Sequence, residues 1–265
     1  VKENMVPDNK SRIFYPRDYR HLNKPKPRSL LFLGIFVLPT LCLFLFFYPT
    51  ITISLSSWGA AILRATTKTV VNIESVRFIP GLGEASFISI EGTIPSFTHS
   101  LVNAIISVFF ILLSTQINRN NRPLMIYLSM GLFVHLVSSL FFLVIPDLFP
   151  YTIQDYSRLY ILQQIGTWMT ITVISGLATN LVLPTGGYKY AAFIVTVLFS
   201  FIFGCVRYVI YLYLLYRFTV LYMAALYFIF GVLYDFLGMI AIYAIFVRGA
   251  SYRMSSNAGK GEWQW

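Results

Sequence analysis

Hydrophobic residues fall in blocks along this chain, with short polar breaks between them. The longest block, 190–247, carries only three formal charges, Arg207, Arg217 and Asp235. A helix crossing a bilayer needs roughly 20 apolar residues, so this block supplies two crossings, with the turn at Tyr216-Arg217-Phe218-Thr219. Residues 30–53, 96–117, 124–145 and 161–183 read the same way and bring the predicted spans to six. Pro39 and Pro49 are expected to bend the first. The segment 55–95 has a different pattern. Trp58, Ala61, Ile62 and Ala65 recur at helical spacing beside a span end, which predicts a short helix lying in the interface. Residues 70–79 and 85–90, rich in Val, Ile and Phe, flank Gly81 and Gly83 and predict a β-hairpin. That hairpin is expected to pack on the interfacial helix through Trp58 and Ile62.

Composition supports this reading. Hydrophobic residues make up 57% of the chain and charged residues 11%, with mean hydropathy +0.70. Soluble domains are about a quarter charged, so a soluble globule is excluded. The expected fold class is an all-α integral membrane protein with six transmembrane helices and a small extracytoplasmic interfacial helix plus β-hairpin. The domains are expected as a basic cytoplasmic arm (1–29), a membrane domain (30–247, with 55–95 as its cap) and a cytoplasmic tail (248–265). The net charge of +10 changes the picture only through its distribution. Eight basic residues precede Leu30, among them Arg12, Arg17, Arg20, Lys24, Lys26 and Arg28. Such a flank is usual on the cytoplasmic side, so both termini are expected in the cytoplasm of a cell that carries this chain in its plasma membrane. The arm and Trp58 are expected to touch lipid or a partner, and no nucleic acid is implied.

Candidate chemistry is sparse. At a helical rise of about 1.5 Å per residue, Arg207, His135, Thr170 and Ser107 all fall roughly 15 Å below the outer span ends. Cys205 and Cys42 come slightly deeper, and Asp235, at roughly 27 Å, is not expected to meet Arg207. A buried polar network of Ser107, His135, Thr170, Arg207 and Asp235 is predicted, with Arg207 bonded to His135 or Thr170. If the chain is an enzyme, Cys42 or Cys205, His135 and Arg207 are the residues to carry thiol chemistry. A transporter or channel would need a polar path through Asn103, Thr170, Arg207 and Asp235. Tyr227 and Tyr234, seven residues apart, are expected on one helix face. No nucleotide-binding or metal-binding motif is present, and neither a cofactor nor a metal is expected.

The stretch Phe203-Gly204-Cys205-Val206-Arg207, followed a span later by Tyr234-Asp235-Phe236-Leu237-Gly238, resembles the end of the exosortase/archaeosortase family of membrane transpeptidases. Arg207 would match the family's arginine and Gly238 the glycine of its H-x-x-x-G element. Tyr234 stands where the histidine belongs, and no cysteine occupies the expected region near Gln164–Thr167. The resemblance implies a relative without the activity. The function expected is that of a non-catalytic membrane subunit or scaffold of an envelope complex, in a setting such as glycan or polymer export, working with other membrane subunits.

Overall fold

The computed structural model describes residues 27–67, 69–114, 116, 122–183 and 187–255. Six helices are long and apolar enough to cross a membrane, and a two-stranded sheet accompanies them. The first begins as α1 (Pro27–Phe32), passes through a π-turn (Leu33–Val37) and continues as α2 (Leu38–Thr67). The π-turn lies just ahead of Pro39, which has no N–H to offer the Ile35 carbonyl. Pro49 is accommodated inside α2. The interfacial helix expected at 55–67 is therefore not a separate element. No glycine or proline separates Ile53 from Trp58, so nothing in the backbone stops the first helix from running on to Thr67.

Strands β1 (Asn72–Ile79) and β2 (Gly83–Ser89) pair antiparallel from Asn72↔Ser89 to Ile79↔Gly83, with a bulge between Arg77 and Ile79. Gly81 and Gly83 turn the chain at φ +86° and +111°, a region that residues with a Cβ avoid. The hairpin runs alongside α2 instead of capping it. Tyr48 Oη donates to Gly83 O (2.9 Å), Thr52 Oγ1 accepts from Ser86 N (3.1 Å) and Ser56 Oγ donates to Ser86 O (2.9 Å). At the open end, Arg64 Nη2 donates to Val71 O (2.5 Å). Trp58, predicted to hold the hairpin, is 52% exposed, and the contact is made instead by small residues, with Gly59 against Ile88. Small side chains let a sheet approach a helix closely, a job an indole cannot do.

After β2 come α3 (Phe97–Ser114), α4 (Arg122–Val144), α5 (Ile153–Val182) and α6 (Gly187–Phe218). Helix α5 opens with a capping box in which Thr152 and Asp155 each accept from the other's backbone N–H. It ends where Pro184 follows in the sequence. The last span is segmented into a 3-10 turn (Val220–Tyr222), α7 (Met223–Tyr227), a π-turn (Phe228–Val232) and α8 (Leu233–Ser255). It runs eight residues past the expected end at Val247. Helices α2, α5 and α6 enclose β2 in one apolar core, with Trp168, Tyr208, Ile88 and Leu63 each under 2% exposed. Tyr208 ties this core together. Its hydroxyl accepts from Ile88 N (2.8 Å) and lies 2.7 Å from Ser157 Oγ. Helix α3 packs on α4, and α4 meets the rest of the molecule along 220–232.

Candidate functional site

The site begins with a fault in a helix. At Gly231 the backbone leaves helical geometry (φ −81°, ψ −129°), and the π-turn there frees carbonyls from the regular ladder. In an apolar medium freed backbone groups must be satisfied by other protein atoms. Three successive carbonyls are. Tyr127 Oη of α4 donates to Ile229 O (2.6 Å), Tyr211 Oη of α6 to Phe230 O (2.8 Å), and Arg207 Nη1 of α6 to Gly231 O (2.9 Å).

Arg207 spends its remaining donors on the same cluster. Nε donates to Tyr160 Oη (2.8 Å), and Nη2 to Gln164 Oε1 (2.9 Å) and Asp235 Oδ2 (2.6 Å). Tyr160 passes the chain on to Gly204 O (3.1 Å). Four of the five guanidinium donors are thus used, one on Nε, one on Nη1 and two on Nη2. The rings of Phe203 and Tyr160 lie 5.3 and 5.6 Å from its centre, within cation–π range. Arg207 is 3% exposed and Asp235 0%, and theirs is the only ion pair among the described residues. Gly204 makes room, since a Cβ there would collide with the Gln164 side-chain amide. Two complementary atoms, Gln164 Nε2 and Asp235 Oδ1, have no hydrogen-bond partner. The result is a neutral, sealed knot binding α5, α6 and α8 around a broken helix.

The pairing with Asp235 corrects the depth estimate. That count assumed one straight helix from Phe218, whereas the segment is folded through a 3-10 turn, a π-turn and the break at Gly231, and Arg207 reaches along its own length. The expected partners are elsewhere. Thr170 lies exposed on α5, and Ser107 bonds back to Asn103 O of its own helix (2.8 Å). His135 Nε2 faces Asn103 Oδ1 (3.1 Å), which also accepts from Tyr222 Oη (2.9 Å). The π-turn between Tyr227 and Tyr234 also breaks their shared face: Tyr227 meets Tyr156, while Tyr234 stacks on Phe203. Lys189 is buried against Asn180 and the Phe32 ring.

The thiols are not brought to His135 or Arg207. Cys205, two positions before Arg207, lines a groove of about 370 Å³ with Thr50, Ser54 and Trp58, and Cys42 is half-buried on α2. A second hollow of about 190 Å³ lies between α5, α6 and α8, and neither hollow is lined by Arg207 or Asp235. Asn103, Thr170 and the Arg207 pair occupy three separate places, so they do not form one polar path. No group of three potential metal ligands gathers among the described residues. Arg12, Arg17, Arg20, Lys24 and Lys26 lie outside the described residues, and Arg28 falls in α1.

Tyr160, Gln164, Tyr211 and Gly231 were not among the predicted site residues. The signal for the first three was spacing. Tyr160 with Gln164, and Arg207 with Tyr211, are each four apart and so share a helix face, whereas nothing in the spacing pointed to Gly231. No family model, no curated protein and no solved structure matches this chain.

Proposed function

We propose that this chain is a non-catalytic, multi-pass subunit of a plasma-membrane envelope complex, acting as a scaffold with both termini in the cytoplasm. The observation that carries the reading is the sealing of Arg207 and Asp235. The two charges deepest in the apolar blocks are spent on each other and on the fault at Gly231, both are buried, and neither of the two hollows described is lined by them. A group that must act on a substrate has to touch it. Kinship with the exosortase/archaeosortase family is part of the proposal and rests on the sequence alone. Gln164, in the region assigned to the family's cysteine, and Asp235, next to the place assigned to its histidine, both bind Arg207. The reading is therefore of a relative in which a reactive set has become a structural one. With the basic arm in the cytoplasm, the single crossing that precedes the β1–β2 hairpin leaves it near the opposite face, where Ile73 and Arg77 of its outer strand are exposed to partners.

Photocrosslinkers placed at Arg77 and at Ile105, on the outward face of α3, test the scaffold role in native membranes. A heteromeric adduct of defined mass at Arg77, and lipid alone at Ile105, is the expected result. A monomer with no protein adduct at either position overturns it. Separately, Cys42→Ser and Cys205→Ser are expected to leave the phenotype of the intact gene unchanged. A folded serine variant that reproduces the deletion phenotype would make the chain a thiol enzyme instead.

A further inference from the structure

A second polar cluster lies where the α3–α4 hairpin meets the start of the last span. Asn103 Nδ2 donates to His99 O (2.8 Å), which leaves Oδ1 as the acceptor for Tyr222 Oη (2.9 Å) and for His135 Nε2 (3.1 Å). His135 therefore carries its proton on Nε2. Its Nδ1 is a bare lone pair, buried and without a partner, and His99 Nε2 is buried without a partner as well. Both rings pack on Tyr222, His135 stacked at 4.8 Å and His99 edge-on at 6.2 Å. The titratable groups facing His135 are His99 from α3 and Tyr222 from the last span; α4 itself adds none, and no described carboxylate is paired with either histidine.

The cluster sits on the hairpin's attachment. Helix α3 packs on α4, and α4 is held to the last span by Ser138 Oγ donating to Leu221 O (2.9 Å), by Tyr127 donating to Ile229 O, and by Gly131 against Ile229. The strand-to-helix link adds one bond, Val220 N to Thr93 O (3.3 Å). The turn before it is under strain, because Thr219, a β-branched residue, holds φ +96°.

We propose that His135, packed beside His99, forms a proton-operated latch, and that its protonation releases the α3–α4 hairpin from the last span. The step is the transfer of one proton from hydronium to the unpartnered His135 Nδ1, forming an N–H bond and an imidazolium and leaving water. A buried imidazolium beside a second imidazole, with no carboxylate to balance it, is relieved by reaching water. The α3–α4 hairpin is the element proposed to move: its polar ties to the last span are the bonds just named, and its apolar anchor in the core is Phe142 at the far end of α4. Histidine is the side chain that takes up its proton between about pH 5 and 8. The occupant of this site is thus a proton and the output is a change in how α4 seats on the last span.

The test uses the full chain in nanodiscs, in a Cys42→Ser, Cys205→Ser background, with spin labels at Leu140 on α4 and Arg217 at the end of α6. Between pH 8 and pH 5 the distance distribution is expected to shift to longer values. His99→Gln combined with His135→Gln, which keeps a donor for Asn103 but cannot titrate, is expected to hold the pH 8 distribution throughout. Tyr222→Phe removes a hydroxyl and no histidine, so it is expected to keep the shift. An unchanged distance in the parent chain, or a shift that survives the double glutamine variant, overturns the latch. Micromolar Zn²⁺ at pH 8 is the remaining arm: histidine-dependent thermal stabilisation by the metal would make the pair a metal site and overturn the proton reading. If the double variant does not fold, the parent chain decides alone. Amide exchange, corrected for its intrinsic pH dependence, must quicken at pH 5 in 97–144 and not in β1–β2, and equal protection at both pH values overturns the proposal.

Discussion

Arg207 and Asp235 differ in what each leaves behind when removed. Taking away Asp235 strands a guanidinium in a sealed site, and breaking a buried pair in this way costs about 3–5 kcal/mol. Replacing both partners removes the stranded charge and leaves the Gly231 carbonyl, the Gln164 carbonyl and the Tyr160 hydroxyl each short of one donor. Asp235→Leu is therefore expected to lower the thermal midpoint more than Arg207→Met combined with Asp235→Leu, measured in one detergent. A double variant that loses as much as the single one refutes the account. Tyr127 and Tyr211 carry single interhelical bonds, which average about 0.6 kcal/mol in a membrane, so Tyr127→Phe should cost a fraction of what Asp235→Leu does. The type of residue at this site was legible in the sequence, because an arginine and an aspartate stand out in an apolar block. Their partnership was not. A count along one axis cannot register a π-turn, and the groups that satisfy its carbonyls come from α4 and α6, far away in the chain.

Among the elements, the hairpin gives the clearest lesson about what local pattern carries. Its strands and turn were readable because β-branched runs around two glycines restrict the backbone wherever the segment sits. Its docking was not readable, since it depends on Tyr48, Thr52, Ser56 and Gly59 presenting one small, polar face on α2. Apolar Trp58 drew attention to the wrong face of that helix. The two turn glycines separate conformation from contact. Both have positive φ, but a Cβ at Gly81 meets nothing, whereas one at Gly83 would lie 2.9 Å from the Pro49 ring. Gly83→Ala is expected to lower the thermal midpoint more than Gly81→Ala. Equal losses would mean that backbone strain alone decides both, and that the tip does not bear on α2.

On the scale of the whole molecule, helix length is out of proportion to a bilayer. The first of the six helices long and apolar enough to cross, Leu30–Thr67, has 38 residues, or about 57 Å at the helical rise, against a hydrocarbon core of about 30 Å. Its far end, with Arg64 bonded to Val71 O, is therefore read as standing clear of the lipid together with the open end of the hairpin. In a cysteine-free background, Arg77→Cys is expected to react with a membrane-impermeant maleimide in intact cells. Reaction only after permeabilisation would invert the orientation. The number of helices long and apolar enough to cross a membrane was legible in the sequence because each forms its own hydropathy block, while the run of the first helix past Ile53 was not, because the more polar stretch 54–67 read as a separate interfacial helix. The bond from Ile88 N to Tyr208 Oη also has a meaning in time. Its ends are 120 residues apart in the chain, and at about 5–20 residues per second a ribosome takes roughly 6–24 s to travel between them. At the start of that interval β2 has α2 beside it, α5 is added only as the chain reaches Val182, and α6 is still incomplete at its end, so a nascent chain holds a strand that is not fully enclosed until its fifth long apolar helix is made.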